Sequence, residues 1–191
     1  MSKKVLFDGT ATQGVARTPY SGGSDYAIYV LESALKKGFR PDLLLHEKKI
    51  SNPRVLDCMD EFKLNVIYIA CENEVYDLLN TGKYDTFFSA LPRLKKPFNA
   101  KDVKVIHGLR SIELPWDKYR YKYESSFILK LRDYIISCCP FIVEYLRRKH
   151  RRKDIRPFLS DNSTIIAVSE HTRYSIRLFY PEFDISRLNV I

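Results

Sequence analysis

Short apolar runs, each closed by a polar or glycine-bearing turn, recur along the chain and leave few ways for it to fold. They are Pro41–Leu45 (PDLLL), Asn65–Ala70 (NVIYIA), Tyr84–Ala90 (YDTFFSA), a run beginning at Val103 (VKVI) and Thr164–Val168 (TIIAV). Runs of this length, rich in β-branched and aromatic residues and bounded by turn signals, read as strands. A further strand opens the chain at Val5–Phe7 and ends at Asp8-Gly9, and SRLNVI reads as one more. Between the first two strands, Ser24 or Asp25 can cap a helix running to Lys37, with Ile28, Leu31 and Leu35 inward and Gly38 just past its end. Glu74–Leu79 is a short helix ended by Gly82. Strand, helix and strand repeated with short connections predict an α/β fold, a doubly wound parallel sheet covered on both faces.

The rhythm breaks over residues 117–160, which read as a mainly helical insertion. Phe127, Ile128, Leu131, Tyr134 and Ile135 recur at helical spacing, and Pro140 ends or kinks that helix. Phe141, Ile142, Tyr145 and Leu146 make a second apolar face running into RRKHRRKD, Arg147 to Asp154. Four cysteines show no C-x-x-C and no metal-ligand spacing, so no metal is expected. Cys138 and Cys139 are adjacent inside an apolar segment and are expected to be buried thiols in a reducing cytosol. The start, MSKKVLFDG, has too short an apolar run for a signal peptide, and Ile135–Val143 is far below membrane-spanning length. A cytoplasmic protein is expected, one able to touch the inner face of a membrane.

In open α/β sheets, ligands bind at the carboxyl ends of the strands. The stretch VKVIHGLRSIELP ends a strand in His107 and Gly108, with Arg110 three residues on. A histidine there can hydrogen-bond a hydroxyl-rich ligand, and an arginine offers a planar fork to phosphate or carboxylate. Gly22-Gly23 with Ser24 before a helix either aims backbone N–H groups at a phosphate or simply turns the chain. Ser169 and Glu170 sit at another strand-to-helix junction on the same edge, where the plain reading is a helix cap. Asp8 at the first strand's end reads chiefly as turn chemistry.

With 32 Lys plus Arg against 23 Asp plus Glu, the chain carries +9, which favours a polyanion, an anionic membrane surface or phosphorylated ligands. The densest part is Arg147, Arg148, Lys149, Arg151, Arg152 and Lys153, read either as a solvated face or as a membrane-surface element. Tyr119, Tyr121 and Tyr123 alternate with Arg120 and Lys122, as acceptor-site aromatics or as loop packing. No recognisable RNA- or DNA-binding motif supports a nucleic-acid partner.

Three stretches in order carry a resemblance. TIIAVSEHTRYSIRLFYPEFDISRLNVI resembles the end of the N-terminal domain of family-4 glycosyltransferases of the GT-B type. The opening strand, the loop containing Gly22-Gly23 and the helix ending near Lys-Gly are similar to that family's start. VIHGLRSIELP looks like its histidine motif, except that Gly108 stands where the family often has Asp. The resemblance implies a Rossmann-like N-terminal half over residues 1–191, with the helical insertion, that supplies the acceptor side. A C-terminal domain, absent from this sequence, would hold a nucleotide-sugar. The implied reaction moves a hexose with retention to a glycan or lipid-linked glycan, the nucleotide-sugar being substrate and no cofactor being required. His107 is the implied catalytic position. Gly22, Gly23 and Ser24 are implied at the donor phosphate or acceptor loop, with Asp8, Arg110, Ser169 and Glu170 along the acceptor cleft. A run that stops within an apolar strand is expected to be one half of such an enzyme, inactive alone. The alternatives are a basic nucleic-acid-binding α/β domain and a non-catalytic Rossmann-like adaptor.

Overall fold

A computed structural model describes residues 3–14, 22–117, 119–159 and 162–191. Its centre is an all-parallel seven-stranded sheet formed by β1 (Val5–Asp8), β2 (Asp42–His46), β3 (Val66–Ile69), β4 (Thr86–Ser89), β5 (Lys101–Ile106), β6 (Ser163–Ala167) and β7 (Leu188–Val190). The strand order is β3-β2-β1-β4-β5-β6-β7. The chain builds outward from β1 to β3, then returns to the other side of β1 and builds outward again. The fold is therefore the doubly wound, Rossmann-like sheet that the apolar runs predict.

Alternate residues of the central strands enter opposite layers, which is why these strands are apolar throughout and do not alternate. Phe7, Leu43 and Leu45 pack under α1 (Gly22–Lys36) and α2 (Pro53–Phe62), meeting Ile28, Leu31 and Val55. Their neighbours Leu6 and Leu44 point the other way, toward Val75 and Leu79 of α3 (Glu72–Asn80). On the far side of the sheet, Ile106, Ile165 and Leu188 pack with Ile176 and Tyr180. Ile176 lies in α7 (Glu170–Phe179) and Tyr180 caps its end. Each fully buried leucine here contributes roughly 1.5–3 kcal/mol of transfer free energy.

Helix α2 has no counterpart in the sequence reading. Asn52 caps it, its Oδ1 accepting the Arg54 N–H at 3.0 Å, and Pro53 opens it. Helix α1 begins at Gly22, so Ser24 and Asp25 lie in its first turn and neither is its cap. β5 also departs from expectation. Lys104 is buried and pairs with Asp102 at 2.5 Å, and Asp102 also accepts the Ser163 hydroxyl at 3.0 Å from β6. A sheet covered on both faces leaves that lysine no solvent to reach.

After the short α4 (Arg110–Glu113), the helical insertion is present as α5 (Phe127–Ser137) and α6 (Pro140–Ile155), with Pro140 starting α6. Its apolar faces do not pack inward. Phe127, Ile128, Phe141 and Ile142 are all exposed, and Asp133 is the buried residue of α5. Cys138 and Cys139, expected to be buried, lie exposed between the two helices, because the apolar segment around them is the turn of the helical pair and no core covers it. Cys58 is the buried cysteine.

Candidate functional site at the carboxyl edge of the sheet

Strand order reverses between β1 and β4, and in doubly wound sheets ligands bind at the carboxyl ends of the strands beside such a reversal. Asp8 ends β1 there and is fully buried. Its Oδ1 accepts the Thr10 N–H at 3.1 Å and the Thr10 hydroxyl at 2.5 Å. Its Oδ2 accepts the Ser89 hydroxyl at 3.2 Å and lies 3.3 Å from Nε of Arg93. Asp8 is thus committed to holding the turn after β1 against the end of β4. Arg93 is the more available partner. Its Nη2 is buried and has no hydrogen-bond partner among the described residues. The sequence reading passed over Arg93, although the Pro92-Arg93 turn after a strand was a signal for it.

The turn after β1 is fixed by contacts. A Cβ on Gly9 would lie 2.8 Å from the carbonyl oxygen of Leu44, so only glycine lets the chain cross β2 this closely. Gln13 then pairs with the backbone of His46, accepting its N–H at 2.7 Å and donating to its carbonyl at 3.0 Å. Residues 15–21 of the loop expected before the first helix lie outside the described residues. Gly22 and Gly23 are described, as the first two residues of α1. A Cβ on Gly23 would meet Leu91 at 2.8 Å, so that glycine seats the helix start against the turn leaving β4. Ser24 is buried in the same turn.

His107 follows β5 with an exposed ring, its Nε2 3.0 Å from the carbonyl oxygen of Ala90. A carbonyl can only accept, so Nε2 carries the proton; whenever the ring is neutral, Nδ1 is then its acceptor. Among the described residues Nδ1 has no partner. Tyr26 of α1 meets the imidazole edge-on, with ring centroids 4.6 Å apart, which brings the start of α1 to the end of β5. Burial raises the Tyr26 hydroxyl above its ordinary pKa, so it stays protonated as a donor.

Arg110 is exposed at the start of α4. Ser169 caps α7, accepting the Thr172 N–H at 3.2 Å, as the plain reading expects. Glu170 is exposed and pairs with Arg173 at 3.3 Å. The sequence reading missed Glu113, which joins α4 to α7. Ser175 donates to it through a short hydrogen bond, and His171 Nε2 lies 3.1 Å away. These two contacts, the Ser175 hydrogen bond first, hold the Glu113 carboxyl below its ordinary pKa. The carboxylate stands between serine and histidine, so His171 is not a base for Ser175 and the trio is a tether.

The structure therefore lines up Asp8, Arg93, His107 and Ser169 on the ends of β1, β4, β5 and β6, neighbouring strands in that order. The basic residues of α6 are elsewhere. Arg147 stacks on Trp116 at 4.0 Å and Arg148 donates to the Ile112 carbonyl at 3.1 Å. Those two hold the helix to the body, while Lys149, Arg151, Arg152 and Lys153 are exposed. Tyr121 packs edge-on against Tyr134 at 5.5 Å and Lys122 sits over Tyr119, which is loop packing; the Arg120 side chain lies outside the described residues.

No family model and no curated protein matches the chain. A solved structure described as the crystal structure of gox2253 is similar at 16% identity, with a TM-score of 0.38, over 88% of this chain. The chain spans about half (51%) of the length of that protein.

Proposed function

We propose that this chain is the acceptor-side domain of a retaining GT-B type sugar transferase. It would present a hydroxyl of a glycan or lipid-linked glycan to a hexose carried by a nucleotide-sugar. The observation that carries the reading is the arrangement of His107. Its Nε2 is held by the Ala90 carbonyl and its ring is braced by Tyr26 from the start of α1, which leaves Nδ1 of the neutral ring as an acceptor at the end of β5, one strand beyond the reversal of strand order. An acceptor of fixed position can take a hydrogen bond from a sugar hydroxyl and hold the sugar in line for transfer, the effect that gives positioned groups most of their value.

In the transfer, the bond from the anomeric carbon to the diphosphate breaks and one to the acceptor oxygen forms, and the acceptor proton leaves with the diphosphate. This step needs no nucleophilic side chain. The positive groups at the edge, Arg93 and Arg110, suit the negative charge that develops on the departing diphosphate. Most of the donor contacts belong, by resemblance, to a second α/β domain.

The test is hexose transfer by the chain joined to its donor-binding domain. H107A is expected to lower kcat/KM by about 100-fold through lost positioning. Near-normal turnover by H107A/R110A, or sugar transfer by residues 1–191 alone, would refute the reading.

A further inference from the structure

On the side of the molecule away from the strand ends, α6 and the end of α7 enclose a cleft of about 330 Å³. Tyr180 marks its place. α7 starts at Ser169 on the carboxyl edge and runs ten residues away from it, roughly 15 Å. The cleft is lined by Arg148, Lys149, Arg152, Lys153 and Arg156 from one flank, with Tyr180 and Glu182 opposite and Tyr145 at one end. The acid is already engaged, since Glu182 pairs with Arg156 at 3.5 Å. Tyr180 donates to the Arg152 carbonyl at 3.1 Å and its pKa is pushed up to about 12 by burial, so it adds no negative charge. Among the described residues, neither Lys149 nor Lys153 has a hydrogen-bond or ion-pair partner. The cleft therefore holds a net positive charge suited to a phosphate group.

The apolar and basic residues of α6 are divided along its axis. Phe141, Tyr145, Arg148 and Arg152 follow one another at spacings of four, three and four, so they share one stripe. That stripe is apolar in its first turns and basic thereafter. Phe141 and Ile142 are exposed in the first turn of α6, and Tyr134 and Ile135 are exposed in the last turns of α5 beside them. Both helices thus end in an uncovered apolar tip, with Lys149 and Lys153 two to three turns behind it. A helix lying flat on a membrane has its apolar and polar faces on opposite sides. This one is apolar at the end and basic along the shaft, which suits entry tip first. From Phe141 to Leu146 the helix rises about 8 Å, within the 5–10 Å over which interfacial elements bury apolar groups.

We infer that the α5–α6 tip inserts into an anionic bilayer while the cleft behind it, built on Lys149 and Lys153 with Tyr145 and Tyr180, takes the phosphate of a lipid headgroup. The occupant is a bilayer because the cleft is continuous, through Tyr145, with the uncovered apolar tip, which a soluble phosphate has no use for. The inference stands whether or not the chain transfers sugar.

The test is co-sedimentation of the full chain with vesicles of phosphatidylcholine alone or mixed with phosphatidylglycerol, with free glycerol 3-phosphate as competitor. The chain is expected to bind the mixed vesicles and not the neutral ones, and millimolar glycerol 3-phosphate is expected to leave binding unchanged. Removing one lysine near anionic lipid costs about fivefold in partitioning, so K149A/K153A should bind roughly 25-fold more weakly. F141S/I142S should abolish binding; both pairs are exposed, and an unchanged thermal midpoint verifies the fold. Equal binding to both vesicle types, or retained binding by either double variant, overturns the inference. Displacement by glycerol 3-phosphate also overturns it, in favour of a soluble phosphorylated ligand.

Discussion

Nε2 of His107 and the carbonyl oxygen of Ala90, 3.0 Å apart, tie the end of β5 to the turn leaving β4. One hydrogen bond at an exposed ring is a small part of stability, on the order of 1 kcal/mol. H107A is therefore expected to leave the denaturant midpoint nearly unchanged while any function of the edge falls. A large loss of stability would show that the histidine is chiefly structural.

The pairing of Asp8 with Arg93 makes a different prediction, because Asp8 is fully buried. D8A removes the acceptor of Thr10 and Ser89 and leaves Arg93 without its counter-charge. Loss of one partner of a buried pair costs about 3–5 kcal/mol; Arg93 is about one-quarter exposed, so the lower end is expected. R93A should cost less than D8A, since Thr10 and Ser89 still satisfy the carboxylate. Urea denaturation of the two variants measures the order.

Lys104 and Asp102 are both buried in β5. K104M alone should destabilise by about 3 kcal/mol or more, because it strands a carboxylate in the sheet. Adding D102N should restore most of that loss. If the double variant is as unstable as the single, the charges contribute more than their mutual pairing.

Glu113 sets an acid dependence. Its pKa in the folded chain lies below the ordinary 4.5. A lowered carboxylate pKa gives stability that is present above the ordinary value and is lost as pH falls through the folded value. Melting curves should therefore show the α4–α7 tether contributing at neutral pH and fading below about pH 4.5. E113Q should flatten that part of the profile, and an unchanged slope would rule Glu113 out as its source.

Strands were legible in the sequence because each is a short apolar run closed by a turn signal, as at PDLLL and TIIAV. Helix α2 was not, because its buried residues are only Val55 and Cys58, while Met59 and Phe62 pack only partly and Leu56 is exposed among acidic neighbours. The Asn52-Pro53 pair was its one clear signal. Periodicity found α5 and α6 but said nothing of what their apolar sides meet, so exposure at Phe127 and Phe141 emerged only in three dimensions. The positions of His107, Ser169 and Glu170 at strand ends followed from the pattern. Arg93 and Glu113 did not, since Asp8 and Ser175 are brought to them from 85 and 62 residues away in sequence.

The polar trio inside β5 and β6 has a bearing on how the sheet assembles. Asp102 stands opposite Ser163, whereas Lys104 stands opposite Ile165. If β6 docked two residues out of alignment, the apolar side chains would still find apolar neighbours, but the carboxylate would face isoleucine and lose its hydroxyl donor. One serine beside one aspartate thus proofreads a pairing that greasy contacts alone would tolerate in several versions.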